Sequence, residues 1–216
     1  MIRVLLIVLA LLWAPPLFAQ HGEQHMHHQF GGAERWSKVF DDPARDAWQK
    51  PDEVVRALAL APDAAIADIG SGTGYFAVHL ARAVPRGRVY GADIEPDMVR
   101  FLNERAAREG LANLRAVLAS ERGPNLPAPV DLVLLVDTYH HIGRRGEYFT
   151  TLRTMLAPGG RVAIIDFRLD SPAGPPRQHR VASKKVAQEM AQAGYRLAGE
   201  HTFLPNQYFL IFQPRE

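Results

Sequence analysis

The chain has 216 residues, 47% of them hydrophobic, with a formal net charge of +2 and no cysteine. That length and apolar content fit one domain with a sizeable core. The charged residues intermix along the sequence without a basic stripe, which argues against a nucleic-acid partner, and the lack of cysteine excludes disulfides, thiol catalysis and thiolate metal sites.

The N-terminus reads as a signal peptide over residues 1–19. Arg3 precedes the apolar run Val4 to Trp13, and Ala14-Pro15-Pro16-Leu17-Phe18-Ala19 leads to a cut after Ala19. The Pro15-Pro16 pair interrupts the run well before the ~20 apolar residues of a membrane span. Export to the periplasm is the expectation. An uncleaved anchor facing inward, or a start at Met26 that leaves the protein in the cytoplasm, stand as alternatives. Residues 20–32 carry His21, His25, His27 and His28 in a polar stretch without apolar period, read as a disordered linker. Imidazoles of this density also suit a transition metal, yet nothing in the sequence fixes a geometry, and no metal site is assigned.

Residues 33–216 form the expected domain. From Ala33 to Leu60 the pattern is helical, with Trp36, Val39 and Phe40 on one face and a break at Asp42-Pro43. Trp36, Phe40 and Trp48 are read as core anchors, since apolar stripes at helical spacing usually face a core. Arg45 and Trp48 lie three apart, so in a helix they share a face from which a ligand is within reach.

The central stretch follows. Ala65-Ile66-Ala67-Asp68-Ile69 is a short apolar strand, and Gly70-Ser71-Gly72-Thr73-Gly74 turns it directly into a helix beginning near Tyr75. Glycines at every second position let the backbone bend and approach a ligand, while the helix N-terminus offers unpaired N–H groups. A dinucleotide fingerprint would place a third glycine where Tyr75 stands. A second strand, Arg88 to Asp93, ends in a carboxylate about 20 residues on, where a ribose-binding acid is expected. Asp93 as a cap of the next helix, which opens at Pro96, is the competing reading.

Strands and helices then alternate. Pro96 to Arg108 is a helix closed by Gly110, Leu114 to Leu118 a third strand and Val130 to Val136 a fourth. Gly146 to Leu156 is a helix, Arg161 to Phe167 a fifth strand and Val181 to Ala193 a helix, before strands Tyr195–His201 and Tyr208–Phe212. Near-continuous apolar runs such as residues 132–136 suit strands buried on both faces of a parallel sheet. The expectation is a single α/β domain around a doubly wound, mostly parallel sheet.

The Asp68-Ile69-Gly70-Ser71-Gly72-Thr73-Gly74 stretch resembles motif I of the class I S-adenosylmethionine methyltransferases. Four further stretches carry that likeness over roughly residues 50–213: Asp137-Thr138-Tyr139-His140-His141-Ile142 after strand four, the Leu156-Ala157-Pro158-Gly159-Gly160 turn, and the last two strands. The resemblance implies a Rossmann-like, seven-stranded sheet with an antiparallel last strand, S-adenosyl-L-methionine as cofactor and a small-molecule methyl acceptor as partner. It implies a cofactor set of Asp68, Gly70, Ser71, Gly72, Gly74, Tyr75, Asp93, Ile94, Ser120 and Asp137. Where relatives carry an adenine-binding Asp, this chain has Ala119-Ser120-Glu121, and Ser120 is expected to substitute.

Methyl transfer asks chiefly for positioning, which supplies ~7–11 kcal/mol in well-oriented reactions. A base, where one is needed, is sought at the end of strand four: Asp137, Tyr139 and His140 are the catalytic candidates, with His140 suited by its near-neutral titration. A purely structural His140-His141 pair is the competing reading. Residues 168–180, rich in Pro, Gly and charge, are expected to wall the substrate pocket, with Arg168, His179 and Arg180 favouring an anionic group. A non-catalytic exported module that binds a nucleoside-like ligand or metal is the alternative function.

Overall fold

The computed structural model describes residues 32–215. The leader and most of the His-rich segment expected over residues 1–32 lie outside the described residues. Within them, three short helices come first: α1 (Ala33–Phe40), then a 3-10 turn (Pro43–Arg45) running into α2 (Asp46–Gln49), then α3 (Pro51–Ala57). Asp42 ends the first helix and starts the turn by accepting from the Ala44 amide at 2.9 Å.

The remainder alternates strand and helix: β1 (Ala65–Ile69), α4 (Tyr75–Ala83), β2 (Arg88–Asp93), α5 (Pro96–Arg108), β3 (Leu114–Leu118), β4 (Val130–Val136), α6 (Arg145–Arg153), β5 (Leu156–Phe167), α7 (Ser183–Gln192), β6 (Tyr195–His201) and β7 (Gln207–Pro214). The seven strands stand in the order β3-β2-β1-β4-β5-β7-β6, and β7 alone runs antiparallel to both its neighbours. This is the seven-stranded Rossmann-like sheet expected.

Strand alternation sends successive residues to opposite faces. On one face Ile66, Leu132, Leu134 and Ile165 pack with α3, α4 and α5 through Leu58, Leu80 and Leu102. On the other, Ala67, Val133, Leu135 and Ile164 pack with α6 and α7 through Phe149, Leu152, Val186 and Met190. Burying one such aliphatic side chain contributes about 1.5–3 kcal/mol, so the two-faced apolar strands are the main stabilising element. α5 ends in a Schellman closure: Gly110 takes φ 66°, and the Leu111 amide donates to the Ala106 carbonyl at 2.9 Å.

One boundary differs from the sequence reading. α6 stops at Arg153, and β5 begins already at Leu156. Pairing passes from Val130 with Leu156 to Leu132 with Arg161, so Pro158-Gly159-Gly160 is a bulge within the strand rather than a turn before it.

The sheet order reverses between β1 and β4, whose C-terminal ends open a crevice there. Such a switch point is where open α/β sheets bind ligands. The leading helices close over this crevice. Asp41 accepts from Arg105 at 2.8 Å, and the same guanidinium reaches the Thr73 carbonyl at 3.1 Å, tying the end of α1 to α5 and the glycine loop.

Candidate active site

At the end of β1 two of three glycines leave no room for a side chain. Gly70, Gly72 and Gly74 all take positive φ, at 70°, 53° and 93°. A Cβ on Gly70 would lie 2.3 Å from Thr138 Oγ1, and one on Gly74 would lie 2.2 Å from Leu102, whereas Gly72 meets only the Phe40 ring at 3.4 Å. Two of the glycines therefore allow internal packing, and the middle one faces the space beneath α1. The Gly70 amide donates to the Ala92 carbonyl at 2.8 Å and the Gly72 amide to Asp93 Oδ2 at 2.8 Å, pinning the loop to the end of β2.

The loop borders a cavity of about 810 Å3. Asp68, Gly70, Ser71, Gly72, Tyr75, Asp93, Ile94, Ser120, Asp137 and His140, singled out in the sequence, all line it. Gly74 does not, and serves as the N-cap of α4. Ser71 Oγ and Thr73 Oγ1 are buried without a hydrogen-bond partner. Because a buried hydroxyl left unpaired costs about 1–3 kcal/mol, these two atoms suit a ligand that supplies polar contacts. Asp93 Oδ1 also accepts from the Glu95 amide at 3.0 Å, so Asp93 is a loop-and-turn organiser that retains free lone pairs toward the cavity. The Ser120 hydroxyl is taken up by its own turn, donating to the Gly123 carbonyl at 3.2 Å, which leaves its backbone rather than its side chain for an adenine.

The cavity is acidic within. Burial pushes the Asp68 carboxyl up to about 7, with Arg45 opposing and Asp93 adding to the rise. Burial, reinforced by Asp166, likewise lifts Asp137 to about 7, against the opposing pull of Arg45 and a hydrogen bond from Gln207. Asp137 sits in the left-handed region at φ 54°, held by Gln207 Nε2 at 2.5 Å and by Arg45 at 3.7 Å. Carboxyls so placed ionise readily once a cationic ligand enters.

Trp36, Phe40 and Trp48 line the cavity rather than anchoring a core. Trp36 stacks on Phe40 at 5.2 Å, and Trp48 leans on Phe167 at 5.7 Å. Arg45 reaches the site as its spacing with Trp48 suggested: it lies over the Tyr75 ring at 4.2 Å and donates to the Phe40 carbonyl and to Gln49 Oε1. The Tyr75 hydroxyl donates to Asp46 at 2.5 Å.

The catalytic candidates separate. His140 Nδ1 is 2.9 and 3.0 Å from the two oxygens of Asp166, whose side chain is 1% exposed. Asp166 also accepts from the Phe167 amide at 2.7 Å. Nδ1 thus carries the proton, and Nε2, which makes no hydrogen bond among the described residues, is the acceptor of a ring that borders the cavity. Tyr139 is a correction to the sequence reading: its ring is fully buried against Phe149 on the far side of the sheet, and its hydroxyl donates to Glu189 at 2.6 Å, so it has no access to the cavity.

The 168–180 loop walls the cavity, but through Gly174, Pro175 and Pro176. Arg168 donates to the carbonyls of Leu204, Pro205 and Gln207, and Arg180 to those of Pro175, Arg168 and Ser171. Both guanidiniums are spent on backbone, and neither they nor His179 line the cavity, contrary to the expectation that these three would favour an anionic substrate group. Sequence reasoning passed over Asp166, Thr138, Met98, Tyr148 and Phe167. An acid or aromatic inside an apolar strand or helix carries no local sign that it serves a pocket. Among the described residues there is no cluster of three or more His, Asp or Glu arranged for a metal, and no helix is long and apolar enough to cross a membrane.

A family model described as a methyltransferase domain matches residues 66–160. A ubiquinone/menaquinone biosynthesis C-methyltransferase from Cupriavidus metallidurans is 29% identical over 138 residues, covering 63% of this chain and 51% of the relative. The 27-O-demethylrifamycin SV methyltransferase of Amycolatopsis mediterranei is 32% identical over 155 residues, 70% of this chain and 54% of that protein. The chain thus spans about half the length of these curated relatives. Among solved structures, a SAM-dependent methyltransferase from Aquifex aeolicus shares the fold with a TM-score of 0.77 at 24% identity, over 84% of this chain and 97% of that one. With the glycine loop, the paired strand-end acids and the seven-stranded order already in place, the chain carries a methyltransferase domain and is similar to the class I S-adenosylmethionine-dependent methyltransferases.

Proposed function

We infer that the protein transfers the methyl group of S-adenosylmethionine to a small-molecule acceptor by in-line displacement. The observation that carries this is the pair of unpartnered buried hydroxyls, Ser71 and Thr73, in a glycine loop beside Asp93 on a cavity large enough for two ligands. When bound, the cofactor supplies an electrophilic methyl on a sulfonium. Asp93 would accept from the ribose hydroxyls, Ile94, Met98 and Ala119 would enclose the adenine, and the glycine loop with Asp68 would hold the amino-acid end. Trp36, Phe40 and Trp48 cover the crevice and exclude water, and the His140 end is left for the acceptor. The curated relatives named for ubiquinone/menaquinone biosynthesis and for 27-O-demethylrifamycin SV support an acceptor of small-molecule size.

Calorimetry of residues 20–216 with S-adenosylmethionine and S-adenosylhomocysteine, run beside NAD, tests this reading. Micromolar binding of both adenosyl ligands is expected. A folded sample that binds neither, or prefers NAD, overturns it.

The leader is proposed to export the enzyme, on the three-part pattern of residues 1–19. Cell fractionation should find a shortened chain in the periplasm, and deletion of residues 1–19 should keep it in the cytoplasm. A full-length cytoplasmic product would refute export.

A further inference from the structure

A closed ring of side chains ties the covering helices to the cavity, and its two central members stand outside the cofactor set expected from the sequence. Gln49 at the end of α2 and Gln207 at the start of β7 are both fully buried, and neither lines the cavity. We propose that Gln49 and Gln207 are positioning residues that hold the Asp137 carboxylate for a cationic ligand and join it to α2, so that the site closes on the charged cofactor and loosens on its neutral product. This rests on the methyl-transfer reading above and deepens it.

The ring has a direction. Arg45 Nε donates to Gln49 Oε1 at 2.8 Å, Gln49 Nε2 donates to Gln207 Oε1 at 2.9 Å, and Gln207 Nε2 donates to Asp137 Oδ1 at 2.5 Å. The circuit closes where Arg45 stands 3.7 Å from Asp137 Oδ2. Each amide turns its oxygen toward the guanidinium and its nitrogen toward the carboxylate, an order that suits an ionised Asp137 best. A buried glutamine costs free energy unless its polar atoms are paired, and both of these are paired at oxygen and nitrogen. The elements so joined are the 3-10 turn, α2, β7 and the end of β4. Tyr75 adds a second tie to the same cover by donating to Asp46.

The carboxyl stands at a balance. Burial and Asp166 of β5 favour its proton, Arg45, Gln207 and His140 favour its charge, and the Tyr208 hydroxyl of β7 also faces it. The outcome lies at about 7. A cation entering the cavity tips Asp137 toward the ionised form, which strengthens the bond from Gln207 and with it the hold on α2. Arg144, the other arginine on the cavity wall, is exposed and faces Glu147 at 3.6 Å, so the cation built into the ring is Arg45. Methyl transfer breaks the carbon–sulfur bond and leaves its electron pair on sulfur, so the product is a neutral thioether and Asp137 loses its cation. By reciprocity, whatever the cofactor's charge adds to closure, closure adds to the affinity for that charge.

The test is calorimetry of the full chain with S-adenosylmethionine, S-adenosylhomocysteine and the cationic amine analogue sinefungin. The two adenosyl ligands share their nucleoside and amino-acid ends, so the ratio of their affinities reads the charge. S-adenosylmethionine and sinefungin should bind at least as tightly as S-adenosylhomocysteine, and their advantage should grow as pH rises through about 7. Asp137→Asn keeps an acceptor for Gln207 and a residue that tolerates the left-handed region. It should lower the affinity for both cations about tenfold or more, leave S-adenosylhomocysteine within about twofold, and flatten the pH dependence. Gln207→Met should lower the same ratio about fivefold, whereas a merely structural glutamine would change both affinities alike or neither. Gln49→Met should act in the same direction, and it supplies the reading if Gln207→Met does not fold. Hydrogen exchange across residues 43–49 should be slower with S-adenosylmethionine than with S-adenosylhomocysteine in the wild type, and equal with the two in the glutamine variants. Failure of either adenosyl ligand to bind overturns the methyl-transfer reading and this one together. Binding of both with an unmoved ratio in Asp137→Asn, an unmoved ratio in the folded glutamine variants, or equal exchange in the wild type overturns this proposal alone.

Discussion

The two ends of the cavity are made in different ways. At the cofactor end, backbone makes the site: three glycines in five residues, pinned by the Ala92 carbonyl and by the side chains of Asp93 and Arg105. At the acceptor end, side chains from far apart converge: Trp48 from the leading helices, His140 after β4, Phe167 at the end of β5 and Pro176 from the loop beyond it. A ligand common to a whole family is met by a compact segment with a fixed shape. A ligand particular to one chain is met by parts that vary independently.

The largest effect that would break this contrast is at Gly72. Gly72→Val should reduce S-adenosylmethionine affinity by more than about 100-fold, roughly 3 kcal/mol, because a branched side chain at φ 53° intrudes where the ligand must approach. Calorimetry on a sample with a native circular-dichroism spectrum checks it, and unchanged affinity would dissociate the loop from the cofactor. Next, Asp93→Ala should weaken binding by about 1.5–3 kcal/mol, the usual worth of hydrogen bonds to a charged group. A loss confined to thermal stability would make Asp93 only the organiser of Gly72 and Glu95.

Gly74→Ala should do the reverse of Gly72→Val. Its Cβ would press on the buried Leu102 and hold a strained φ, for about 2 kcal/mol of stability read by urea unfolding, with smaller effect on the ligand in the fraction that stays folded. At the other end, Pro176→Ala should leave S-adenosylhomocysteine affinity within about twofold, since it lies apart from the glycine loop. A tenfold change would show that the two ends are not separable.

Protonation sharpens the same comparison. Burial lifts Asp68 and Asp137 to about 7 in the folded chain, whereas unfolded aspartates titrate at about 4. The folded protein therefore holds protons that the unfolded chain has released between about pH 4 and 7, and by linkage this contribution to stability is largest at low pH and fades as pH rises through 7. The ligand-free protein should lose melting temperature across that window. A cationic cofactor should draw these carboxyls into their ionised form, so binding at pH 6 should release protons, seen as a dependence of the calorimetric enthalpy on buffer. Above pH 8 the dependence should vanish.

The parts legible in the sequence were the local ones. Apolar runs gave the strand positions, and the alternate glycines gave the loop, because each feature lies within a few consecutive residues. The early start of β5 escaped because Pro158 and Gly159 look like a turn, while only pairing with Val130 reveals a bulge. Trp36, Phe40 and Trp48 were read as core since an apolar pocket wall and an apolar core have the same periodicity. Arg168 and Arg180 looked available to a substrate because backbone carbonyls, their actual partners, are invisible in composition. Tyr139 and His140 are neighbours in sequence, yet the 3-10 turn sends them to opposite sides of the sheet edge, one to Glu189 and the other to Asp166.

The spent arginines have a consequence for how this protein acquires new specificity. Two guanidiniums satisfy six carbonyls of the 168–180 and 204–207 segments, so much of that wall's rigidity is supplied from within those segments. Between the two arginines Gly174 is fixed, since it takes φ 95° and a Cβ there would lie 2.5 Å from the Phe167 ring, while its neighbours are released from holding the shape. The stretch 172–176 is thus a cassette, open to replacement by a loop of equal length that keeps this glycine while the frame around it, and the cofactor's seat beyond, persist unaltered.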